Sequence, residues 1–189
     1  MNHRYFQKFQ IKDVVFLAIM SAVALATCAV MPLVISLQPL IFGISQLVTA
    51  LQIGVFFAIG LYKVRKPGSL LIMALMMGLI QLMMSPPMFL SSVLNGVLIE
   101  LIVLLLFRGY EKDGAVFCAA MLHTPLSLPF NYLYNRLIKG ADSPLAAVAD
   151  RAPLAAVGMT LAVVAVSALG ALIGIKIARE LKRSGVLKK

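Results

Sequence analysis

Groups that carry chemistry are scarce in this chain of 189 residues, which has seven acidic residues, two histidines and two cysteines. None of the short patterns that organise hydrolases or nucleotide-cleaving enzymes occurs, whether GxSxG, HExxH or a Walker A loop. His3 belongs to the N-terminal tail and His123 to an apolar stretch, so no imidazole cluster exists to hold a metal, and no cofactor is implied. Cys28 and Cys118 fall in different apolar segments at different depths, which argues against a disulfide, and no zinc spacing is present. Within the apolar segments, Glu100 is the carboxylate that stands well away from an end. An enzyme built on this chain would have to find its acid and base among these few groups.

Apolar residues dominate what is present: 61% of the chain, with a mean hydropathy of +0.98. They come in blocks long enough to cross a bilayer, which defines an integral membrane protein. The formal net charge of +10 does not point to nucleic acid, because the cations form short clusters between apolar blocks and are not interleaved with aromatics on one face.

The blocks predict six membrane helices in one domain spanning 1–189, with short tails at 1–12 and 177–189, so the fold class is all-α. The first runs from about Val14 to Met31; it is long for the core of a signal peptide, and five more blocks follow it. Pro32 and Leu37 to Pro39 mark a turn, and a second span covers Leu40 to Tyr62. KVRKPG at Lys63 to Gly68 breaks the pattern before a methionine-rich third span ending near Met84. Ser85 to Pro87 turns the chain into a fourth span, Met88 to Phe107, and the polar turn Arg108 to Gly114 leads into a fifth that ends near Lys139. The connection Gly140 to Pro153 is the longest loop and has the composition of a cover. The last span, Leu154 to Ile175, runs on into a basic end. With the N-terminus inside, 14 of the 17 Lys and Arg fall on one side and only Arg136, Lys139 and Arg151 on the other. The positive-inside rule then places both termini in the cytoplasm.

One stretch, HTPLSLPFNYLYNR from His123 to Arg136, stands out against this background. His123, Ser127, Asn131 and Asn135 recur every four residues and form one slowly drifting polar stripe on a helix. Pro125 and Pro129 remove backbone donors within it, predicting a bend and free carbonyls. Such a helix is tolerated at membrane depth where it faces protein or a cavity. It is therefore either a ligand wall or a kinked packing helix bonded to its neighbours. Other polar groups gather at the same outer level: Gln81 on the third span, Ser92 and Asn95 on the fourth, Tyr132 and Arg136 on the fifth. Together with the stripe they outline a binding site open to the outside, with Arg136 or Arg151 near any anionic group. Ser91, Ser92 and Gly96 also suit plain packing notches. Glu100 and His123 come to similar depths, within about one helical turn, and so form a candidate buried polar pair.

Ala18, Ala22 and Ala26 form a smooth stripe on the first span, where another helix can approach closely. With six spans, an inside N-terminus and no energy-coupling motif, the chain resembles the substrate-binding S component of an energy-coupling factor (ECF) transporter. The three alanines match that family's AxxxA docking motif. KVRKPG, and NGVLIEL from Asn95 to Leu101, also resemble S components associated with hydroxymethylpyrimidine or thiamine-precursor uptake, and related families of unassigned substrate. The resemblance implies a non-enzymatic subunit that captures a vitamin or related nutrient near the outer face. It implies two kinds of partner, a membrane coupling subunit and two cytosolic ATPases. Two other classes fit the same spans: a small membrane enzyme acting on a lipid or isoprenoid, and a non-catalytic assembly protein.

Overall fold

Helices begin and end at the prolines, glycines and cations that interrupt the apolar blocks. A computed structural model describes residues 8–28, 30, 33–34, 36–140 and 143–187. The tail with Asn2, His3 and Arg4, the Met31-Pro32 turn, Ala141 and Asp142, and Lys188 and Lys189 lie outside the described residues. Seven helices occur among those described: α1 (Ile11–Thr27), α2 (Ile44–Val64), α3 (Ser69–Leu82), α4 (Pro86–Phe107), α5 (Asp113–Leu137), α6 (Pro144–Arg151) and α7 (Pro153–Arg183). Six overlap the expected blocks, with ends displaced by up to eight residues, and α6 occupies the long connection.

Length and composition make α2, α4 and α7 apolar enough to cross a membrane. The others differ for physical reasons. At 17 and 14 residues, α1 and α3 reach about 25 and 21 Å at 1.5 Å per residue, less than the hydrocarbon thickness. The 25 residues of α5 are long enough, but its polar stripe lowers its hydropathy. Leucines at 105, 106, 154 and 161 are 65% or more exposed on the outer surface, an arrangement suited to lipid and costly in water.

The closest packing joins α2 to α7. A Cβ added at Gly170 would lie 2.5 Å from the Leu51 carbonyl, and one at Gly174 would meet that of Val55, so the missing side chains let two backbones touch. Polar side chains tie other pairs: Ser21 Oγ donates to the Met73 carbonyl at 3.1 Å, linking α1 to α3, and Ser92 Oγ to that of Ala74 at 2.9 Å, linking α4 to α3. Helix α5 continues through both prolines. Pro125 has no N–H for the Met121 carbonyl, which accepts from Ser167 Oγ of α7 at 2.7 Å instead. The free carbonyl expected from the sequence is thus present and used.

One end of the bundle is basic and laced together. Lys66 pairs with Asp13 at 2.7 Å. Asp113, in the polar turn outside the apolar segments, pairs with Arg65 and with Arg179. Partial burial works against its charge, but hydrogen bonds from Arg179 and Arg65 prevail and hold the carboxyl below its usual range. Above this end lies a closely packed core that includes Phe57, Leu61, Ile99, Val103, Val116 and Ala119. The opposite end is open.

Candidate ligand-binding cavity

A cavity of about 690 Å³ enters from the end where α5 and α6 meet the α3–α4 turn. Its wall on α5 is the polar stripe, so His123, Ser127, Asn131 and Asn135 all line it, joined by Gln81 from α3 and Asn95 from α4. Spacing of four on one helix puts the first set on a single face; the antiparallel α4, and α3 beyond it, supply the rest. Ile53, Met77, Leu25 and Cys28 give it apolar walls.

Its deep end is distinctive. Asn95, Thr124 and His123 are 1%, 3% and 4% exposed. Asn95 Oδ1, Thr124 Oγ1 and both ring nitrogens of His123 have no hydrogen-bond partner. Buried polar atoms are ordinarily paired, since burial strips away their water without return. The His123 ring instead packs against Phe57, with centroids 4.5 Å apart.

Nearer the mouth the polar groups satisfy one another. Asn135 Nδ2 donates to the Asn131 carbonyl at 2.8 Å, and its Oδ1 accepts from Ser143 Oγ at 3.0 Å. Gln38 bonds Ser45, whose hydroxyl donates to Gln46 Oε1 at 2.8 Å. Ser143, Pro144 and Leu145 of the long connection extend the rim of the open mouth.

Three expectations need correction. Glu100 does not meet His123: its Oε1 accepts from the Gly68 N–H at 2.6 Å and its Oε2 from the Tyr110 hydroxyl at 3.0 Å. The carboxylate thus caps the start of α3, where unpaired N–H groups and the helix dipole favour a negative charge. Tyr132 and Arg136 do not line the cavity either. Each lies one position past a stripe residue, which turns it about 100° around α5, and both bond Asp150 of α6. Arg151 is exposed and also outside it. The lining cation is Lys139. Sequence reasoning missed Thr124, Gln38, Ser45, Gln46 and Thr49, because nothing but the tertiary fold aims them inward.

The alanine stripe faces outward. Ala22 and Ala26 are exposed and Ala18 half-buried, on a face of α1 that also exposes Val15 and Ile19.

A multi-pass membrane bundle with a cavity open at one end defines the class, and comparison with known proteins narrows it. A solved structure described as "Crystal structure of an S-component of ECF transporter" superposes with a TM-score of 0.64 over 95% of this chain and 89% of that one, at 21% identity. The chain has an S-component-like fold. It belongs to the family described as hypothetical bacterial integral membrane protein (Trep_Strep), whose model matches residues 11–183. No curated protein matches the sequence.

Proposed function

We propose that this protein is the membrane-embedded substrate-binding subunit of an ECF-type importer, capturing a vitamin or related micronutrient at the outer face for ATP-driven uptake by partner subunits. The observation that carries the proposal is the set of orphaned polar atoms on Asn95, Thr124 and His123, buried at the bottom of a cavity in an S-component-like fold. Groups so costly to bury unpaired acquire a purpose when a ligand completes them. The proposed site also includes Gln81, Ser127, Asn131 and Asn135, which line the same cavity. Six spanning helices and cytoplasmic termini put the cavity mouth outside, and the basic end of the bundle supports that orientation. The two short helices are accommodated by tilt and local thinning of the bilayer.

The partners implied by the likeness to S components, a coupling subunit and two ATPases, would dock on α1. The exposed stripe of Ala18, Ala22 and Ala26 supports this, since a second helix can reach the backbone there. Ala22→Leu is expected to abolish uptake and co-purification with a coupling subunit and ATPases, while the isolated protein keeps its stability and ligand. Equal loss of stability and binding would assign the stripe to internal packing and overturn the docking face.

A further inference from the structure

We infer that the deep end of the cavity takes an uncharged hydrogen-bonding group, such as an amide, lactam or amino-heterocycle edge, on a molecule with no net positive charge. This rests on the cavity being a ligand site.

Charge narrows the ligand first. No carboxylate lines the cavity among the described residues. Glu100 is engaged by Gly68 and Tyr110, and Asp150 by Arg136 and Tyr132. Asp13 and Asp113 are paired at the basic end, where Glu111 and Glu180 also stand. A cation drawn down to His123 would shed water and meet no opposite charge, which low-dielectric surroundings penalise heavily. The lining cation, Lys139, is sixteen positions beyond His123 on the α5 side. At helical rise that is about 24 Å, too far for a small molecule seated on His123 to touch. At the mouth its charge favours entry of anionic molecules and opposes cations.

Hydrogen-bonding capacity narrows it further. Asn95 Oδ1 is an acceptor, the Thr124 hydroxyl donates or accepts, and a neutral imidazole offers one donor and one acceptor. All are orphaned, and they come from two facing helices. The amides nearer the mouth are partly satisfied within the protein, Gln38 and Gln46 through Ser45 and Asn135 through Ser143, so the unmet demand is concentrated at depth. Between these polar points Ile53, Met77 and Leu25 present only carbon and sulfur. A ligand matching this surface has adjacent donors and acceptors on one edge and an apolar body.

The test uses the full chain in lipid nanodiscs and the small-molecule fraction of yeast extract, split by ion exchange into cationic, neutral and anionic pools. Thermal stability is read for the wild type and for His123→Leu/Asn95→Leu, since a ligand that binds only the folded state raises its melting temperature. Matching helical circular dichroism and a cooperative melt without extract establish that the variant folds. The neutral or anionic pool is expected to raise the wild-type melting temperature by several degrees and to leave the variant unmoved. Protection of the wild type and not the variant by the cationic pool alone would overturn the ligand class while leaving the binding site in place. If no pool separates wild type from variant, the site itself falls as well.

Discussion

His123 shows how much one side chain reveals when its surroundings fail to satisfy it. Both of its ring nitrogens are buried without a partner, so in the empty protein it is a cost. His123→Leu should therefore stabilise the ligand-free protein, by about 1–3 kcal/mol if the lost penalty is that of a buried unsatisfied group, while abolishing ligand binding. Melting curves with and without ligand check it; destabilisation of the ligand-free form would mean that the imidazole serves packing. Glu100 is the opposite case, since each of its oxygens has a partner, in Gly68 and Tyr110. Replacing it with leucine would strand an N–H and a hydroxyl, with an expected loss of about 1–3 kcal/mol in denaturant titrations. Both residues were conspicuous in the sequence as polar groups in apolar surroundings. The partners of Glu100 were not, because the two separate turns that carry Gly68 and Tyr110 are brought to it by the packing of the helices.

Among the elements, α5 was the most legible. Its spacing of four, its prolines and its polar composition are all local properties, and the structure keeps the stripe on one face against the cavity. What the pattern could not fix was the cavity's far wall, since Gln38, Ser45, Gln46 and Thr49 sit in an ordinary apolar block and turn, and face inward only because α2 packs as it does. That packing depends on the glycines of α7. Gly174→Val would push a branched side chain into the Val55 backbone, where neighbouring helices cannot yield as a flexible side chain can. A loss of about 1–3 kcal/mol is expected from such overpacking, together with weaker ligand binding because α2 carries part of the wall. The same change at Gly158, where an added Cβ meets nothing within 4 Å, should be silent in the same melts and serves as the control.

For the whole molecule, charge and cavity give the two ends different characters. The basic end gathers Lys63, Arg65, Lys66, Arg108 and Lys112 with the cations of α7, and the cavity opens at the other. Single cysteines at Asn2 or Lys189 should therefore resist an impermeant thiol reagent in intact cells, and one at Lys139 should react; labelling of either terminus would reverse the orientation. The cavity also has a floor. Beneath His123 and Ile53 the space is filled by Phe57, Leu61, Ile99, Val103, Val116 and Ala119, with no lining residue continuing toward the basic end. Because every side chain of that plug is fully buried and protein interiors are close-packed, the isolated subunit offers no wire for ions or water. Liposomes densely loaded with it should hold an imposed voltage as long as empty ones do, making the protein electrically silent however much ligand it carries.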